Sequence, residues 1–267
     1  MPFLNLGDAE LYYETAGSGP ALLLNPATAW HGETWKLYQV PEFAKDHTVI
    51  TYDPRGTGKT KTTSEDFSTQ RLTEDAAALL EHLKVKNAIV LGHSNGGRIA
   101  ISLAADFPHL VGKLILASSG TTYNGPPGIP FKMCVELVKM GYEPYMRKGV
   151  FDVGFTKAYY EANKAICDKF IDVRLSNLLP IENFLRYVVN RQASDVAAKV
   201  KHINVPTLVM VGDDEHHHAT GLTHFQAAEQ LSKNIAGAKL VVLPGQGHHY
   251  LFVAPEAANK IIRSFLV

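Results

Sequence analysis

Ser94 stands between two glycines in the run Gly92-His93-Ser94-Asn95-Gly96-Gly97. A serine hydroxyl attacks poorly until it is held clear of the backbone beside a base, and a sharp strand-to-helix turn does that holding. Such a turn strains the serine backbone, so the residues two before and two after it must be small. A base and an orienting acid follow downstream: His248 after Gly247, and Asp213, Asp214 and Glu215 in a row after Gly212. A carboxylate bonded to one imidazole nitrogen fixes the tautomer and leaves the other nitrogen to take the serine proton. These residue types together can perform acyl transfer through a covalent intermediate.

The flanking sequence supplies the elements that would position them. Ala88, Ile89, Val90 and Leu91 form a short apolar run that suits a central parallel strand. Behind the serine, Ile99, Ala100, Leu103 and Ala104 recur at helical spacing, and Pro108 closes the segment. The N-terminus of that helix would aim its free N–H groups at a developing oxyanion. Residues 205–211 read as a strand leading to the acidic run, and residues 239–243 as a strand leading to His248.

The order serine, acid, histidine, with these strand ends, resembles the α/β-hydrolase fold, and the likeness covers most of the chain. Paired strands over residues 3–13, a turn at 17–20, a buried strand at 21–24 and the loop Asp53-Pro-Arg-Gly-Thr-Gly-Lys-Thr60 are similar to that family's entry and to its D-x-R-G-x-G-x-S loop. The resemblance implies a mostly parallel central sheet flanked by helices, with Ser94 as nucleophile and His248 as base. The family's commonest spacing selects Glu215 as the acid, whereas its usual residue type favours Asp214. The expectation falls on Asp214, then Glu215, then Asp213. The family's oxyanion loop usually reads His-Gly. Here those positions hold Asn25 and Pro26, which implies Ala27 as one N–H donor and Asn95 as the other.

Strand and helix signals alternate from residue 21 to about 119, give way to a Gly- and Pro-rich stretch at 125–130, and then become helical to about 204. The expected organisation is a core of residues 1–120 and 205–267 with a helical cap at 121–204 inserted between core strands. In that cap, helical signals fall at 135–140, 159–170 and 183–189. Trp30 near the oxyanion loop, and Phe131, Met140 and Tyr145 in the cap, are expected to bind substrate. Other cap aromatics are expected to pack the cap onto the core.

The chain has 267 residues, 46% of them hydrophobic, enough for one large domain with an insertion. Lys plus Arg and Asp plus Glu both number 26, so no basic surface for nucleic acid or an anionic membrane is implied. No apolar run approaches membrane-spanning length, and the first residues lack a basic segment followed by an apolar one, so the expected location is cytoplasmic. Cys134 and Cys167 read as ordinary thiols. The loop 56–60 hints at a phosphate loop, but the motif's first glycine position holds Asp53. His216, His217 and His218 are consecutive and cannot all face one ion, so no metal is expected, even with His224 and His249 nearby.

The expected function is hydrolysis of a carboxylic ester or lactone of a small, largely apolar substrate, with no cofactor. One alternative is carbon–carbon bond hydrolysis of an aromatic ring-cleavage product, whose carboxylate calls for an arginine in the pocket: Arg98, Arg147, Arg174, Arg186 or Arg191. Another is a small-molecule receptor with slow turnover.

Overall fold

The computed structural model describes residues 3–122, 129–213 and 222–267, with backbone alone for 129–131. Among these, nine strands form one sheet: β1 (Phe3–Asn5), β2 (Ala9–Ala16), β3 (Ala21–Asn25), β4 (Thr48–Tyr52), β5 (Lys61–Thr62), β6 (Ala88–His93), β7 (Val111–Ala117), β8 (Thr207–Gly212) and β9 (Lys239–Leu243). The order is β1-β2-β4-β3-β6-β7-β8-β9, with β5 on β2. β1, β2 and β5 pair antiparallel, and every pairing from β4 to β9 is parallel. The chain belongs to the fold class its sequence implied.

The central strands are apolar throughout because both faces are covered. Successive side chains alternate between two clusters. Leu23 and Val90 join Leu72, Leu79, Ile99 and Leu103 on one face. Leu22, Leu24, Ile89 and Leu91 join Phe170, Phe252 and Ile262 on the other. Each fully buried Leu or Ile contributes roughly 1.5–3 kcal/mol, which holds these strands between the two helical layers.

The helices are α1 (Gln39–Phe43), α2 (Thr69–His82), α3 (Asn95–Asp106), α4 (Ile129–Met140), α5 (Tyr142–Gly154), α6 (Lys157–Ala162), α7 (Lys164–Leu175), α8 (Ile181–Ala193), α9 (His224–Asn234), α10 (Tyr250–Val253) and α11 (Pro255–Leu266). The run 159–170, read from sequence as one helix, is broken at Asn163 (φ −127°, ψ 31°), whose side chain bonds back to Tyr159 O at 3.0 Å. That local bond competes with continued helix. Helices α4 to α8 all lie between β7 and β8 in the chain. Polar contacts tie them to segments that follow the carboxyl ends of the strands: Tyr187 OH donates to Arg55 O at 2.8 Å, Arg174 Nη2 to Ala29 O at 3.0 Å, and Tyr159 OH to Val253 O in α10 at 3.0 Å.

β3 has β4 on one side and β6 on the other, so the winding of the sheet reverses between β3 and β6. In open parallel sheets the crevice beyond the carboxyl ends of the strands at such a reversal is where ligands bind. The loop 25–27 and Ser94 both emerge there.

Candidate active site

Ser94 joins β6 to α3 with φ 55° and ψ −116°, a backbone state that a residue with a side chain adopts only under strain. Its N–H donates to Ala117 O at 2.9 Å, and its carbonyl accepts from Gly97 N at 3.0 Å and from Ser119 Oγ at 2.8 Å. These bonds hold the strained turn. The flanking glycines are steric requirements. A Cβ on Gly92 would lie 2.6 Å from Gly97 Cα, and one on Gly96 would lie 2.6 Å from Pro26 O and closer still to Asn25 O. The second glycine therefore lets the loop after β3 rest against the start of α3. That contact brings Ala27 and Asn95 to one place.

His248 is 8% exposed, on the loop after β9. Gly247 lets this loop pass Gly154, since a Cβ there would lie 2.5 Å from Gly154 O. The His248 carbonyl accepts from His93 Nε2 at 3.0 Å. A carbonyl cannot donate, so His93 carries its proton on Nε2 and presents Nδ1 as an acceptor. Burial pushes His93 down to about 4, so it is neutral at pH 7. His248 also stacks on His224, with ring centroids 4.0 Å apart and the two Nδ1 atoms 3.1 Å apart.

Asp213 is exposed, and its Oδ1 accepts from Gly245 N at 2.6 Å, bracing the loop that carries His248. Asp214, the expected acid, lies outside the described residues, as do Glu215 and His216, His217 and His218.

Ser94, His248, Ala27, Asn95, Trp30 and Tyr145 all line one cavity of about 480 Å³, within the usual range for small-molecule sites. Asn95 Oδ1 accepts from Arg98 Nη1 at 3.2 Å. Trp30 packs against His93, Phe170, His249 and Phe252, with centroids 5.1–5.5 Å away. Tyr145 approaches Phe184, another lining residue.

Met140 does not line the cavity: it is 39% exposed. Glu136 on the same face of α4 does line it, but Met140 lies one turn further on, about 6 Å along the axis and past the rim. Met133 and Met146 hold the thioether positions instead. The Phe131 side chain lies outside the described residues.

Of the five candidate arginines, Arg98, Arg174 and Arg191 line the cavity. Arg147 faces Asp172 at 3.6 Å and Arg186 pairs with Glu65 at 2.7 Å, both away from it. The loop 53–60 is a brace. Asp53 accepts from Gly32 N and Lys59 N, both at 2.7 Å, so a carboxylate already occupies the Lys59 amide of this loop.

Sequence reasoning missed one grouping. His93, His248 and His249 each offer a ring nitrogen, and these lie within 4.8 Å of one another, close enough to share a metal ion. Two of the three come from adjacent positions and the third from another strand end, so no ligand spacing signals the trio. Ser119 and His224 also escaped notice as neighbours of Ser94 and His248. A serine or histidine beside a turn carries no local signal of its tertiary partner.

A parallel sheet with a strained serine at its reversal point, a histidine across the same cavity and a helix N-terminus beneath them defines an α/β protein built like a hydrolase. Residues 20–159 match the family model described as alpha/beta hydrolase fold, and the chain belongs to that family. A relative named "Putative carbamate hydrolase RutD", from Azorhizobium caulinodans, is 26% identical over 99% of this chain and 98% of its own. The enol-lactonase from Burkholderia xenovorans LB400 superposes with a TM-score of 0.86 at 24% identity, covering 99% of both chains. Est816, described as an N-acyl homoserine lactone degrading enzyme, superposes with a TM-score of 0.82 at 25% identity, over 98% of this chain and 99% of its own. These likenesses support a hydrolase of the family. No helix among the described residues is long and apolar enough to cross a membrane.

Proposed function

We propose that the chain is a serine hydrolase that cleaves a carboxylic ester or lactone of a small substrate through an acyl-enzyme. The observation that carries this reading is the Ser94 elbow opening into the same cavity as His248. Ser94 Oγ attacks the carbonyl carbon as its proton passes to an imidazole nitrogen of His248. The N–H groups of Ala27 and Asn95 hold the oxyanion; that both residues line the cavity, with the loop after β3 packed on the start of α3, supports this role. The intermediate collapses, His248 protonates the departing alkoxide, and the acyl group stays on Ser94. Water then attacks, giving its proton to His248, and the acid leaves with Ser94 restored. Asp214 is the proposed orienting acid, on the loop after β8. Helices α4 to α8 form a cap that closes the cavity, and Trp30 and Tyr145 contact the substrate. The relatives named for lactones and a carbamate fit this scheme, since each group offers a carbonyl with a leaving group.

The test is hydrolysis of short-acyl nitrophenyl esters by the wild type and by Ser94→Ala, with folding checked by circular dichroism. Steady turnover that falls more than about a thousandfold in the folded variant is expected. Turnover unchanged by the substitution would overturn the proposal.

A further inference from the structure

The two arginines with essentially no exposure are treated differently by this fold. Arg55 is paired with Asp75 through Nε at 2.5 Å and Nη2 at 2.9 Å, and Nη2 also reaches Asp8 at 2.8 Å. Arg174, on α7, is 1% exposed and has no carboxylate among the described residues. Its Nη2 donates to Ala29 O at 3.0 Å, while Nε and Nη1 have no hydrogen-bond partner. Its guanidinium lies 5.2 Å over the Trp30 ring. Packing therefore fixes it in place while two of its nitrogens lack a hydrogen-bond partner, and the residue lines the cavity that holds Ser94.

An unpaired buried charge is strongly unfavourable, and a protein that retains one needs a reason. The surroundings identify the sign of what would compensate it. Burial, with Arg174 adding to it, pushes the neighbouring His31 down to about 4, and burial holds His93 and His249 below the usual histidine range. At neutral pH these rings carry no charge, and the nearby Tyr142 stays protonated, pushed up to about 12. A fixed guanidinium with no carboxylate beside it among the described residues attracts an anion. Arg98, Lys132 and Arg191 also line the cavity, against the single acid Glu136 among the described lining residues. Net charge over the whole chain is zero, so this excess is local.

We propose that Arg174 is a specificity-determining residue that receives a carboxylate of the substrate, so that the preferred ester or lactone carries a free acid group remote from the bond cleaved. Charge-assisted hydrogen bonds to a carboxylate are the strong kind, and the Trp30 stack means little entropy is lost in making them. Ser94 and Arg174 border one cavity of about 480 Å³, so one small molecule can reach both. The proposal rests on the serine hydrolase reading and names its substrate class.

The test pairs two esters of equal acyl length, the 4-nitrophenyl monoester of glutarate and 4-nitrophenyl pentanoate. The wild type is expected to favour the glutarate ester by at least about tenfold in kcat/KM, chiefly through KM. Arg174→Met should erase that preference and Arg174→Lys should retain part of it. No preference in the wild type, or a preference that survives in a folded Arg174→Met, would overturn the proposal. Calorimetric titration of free glutarate into folded Ser94→Ala needs no turnover and no change at Arg174. Saturable binding is expected, and its absence overturns the role. Glutarate binding that Arg174→Met abolishes, without hydrolysis of either ester, would remove the hydrolase reading and keep Arg174. Hydrolysis of both esters with equal kcat/KM would do the reverse.

Discussion

Replacing Gly96 by alanine tests whether the contact between α3 and the loop after β3 builds the oxyanion site. The new Cβ would stand 2.6 Å from Pro26 O and nearer still to Asn25 O, whereas real Cβ atoms essentially never come within 3.0 Å of such neighbours. Both obstacles are main-chain oxygens and cannot rotate aside, so the loop must retreat by more than about 0.5 Å from α3. Ala27 follows Pro26 directly, so its N–H moves away from that of Asn95. Removing one oxyanion donor slows catalysis about 10²–10³-fold, and lengthening that bond by about 0.5 Å should forfeit part of this, roughly 10–100-fold in kcat with little change in KM. The forced shift should also lower stability by about 1–3 kcal/mol, or roughly 3–10 °C in Tm for a chain of this size. Steady-state nitrophenyl ester hydrolysis and thermal unfolding of the same preparation read both effects. A folded Gly96→Ala protein with kcat within about twofold of the wild type would refute the argument, whatever its Tm.

Ser94 at φ 55° stores strain that glycine would not, so Ser94→Gly should raise stability by about 1 kcal/mol, seen as a higher urea midpoint with hydrolysis abolished; a lower midpoint would mean that the elbow is unstrained. Arg55→Met leaves the Asp75 carboxyl, 3% exposed, without its partner and should cost about 3–5 kcal/mol in denaturant unfolding, with a cost below about 1 kcal/mol counting against the pairing. His31 and His93 are both held at about 4 when folded and return to ordinary values when unfolded. The unfolded chain thus binds more protons between about pH 6.5 and 4, and stability should fall as pH drops through that window, by about 3 kcal/mol per histidine at pH 4. The raised carboxyl of buried Asp53 offsets a part of this, so a urea midpoint that stays flat from pH 6.5 to 4.5 would contradict the assignment of both histidines as buried and neutral.

Much of the fold was legible because its signals are local. The apolar run at 88–91 could be satisfied only by a strand covered on both faces, and Gly92 and Gly96 flank a serine whose turn admits no larger neighbour. The sequence also placed His248 just past a strand end, where the structure has it. The break at Asn163 was not legible, since it depends on one side chain choosing a backbone carbonyl over the helix. Nor was the position of Met140, where helical periodicity placed it in a helix but could not say how far along that helix the cavity extends.

The sequence by itself determined the order of strands and helices, the strained serine and the downstream histidine, because periodicity, chirality and sterics act over a few residues. Only the tertiary structure decided which side chains share the cavity. Arg174 meets Ala29 and Trp30 across some 145 residues of chain, and His93 meets His248 across 155, through the closing of the sheet and the seating of α7 upon it. Whether a buried arginine finds two carboxylates, as Arg55 does, or none among the described residues, as Arg174 does, depends on what the completed packing brings beside it.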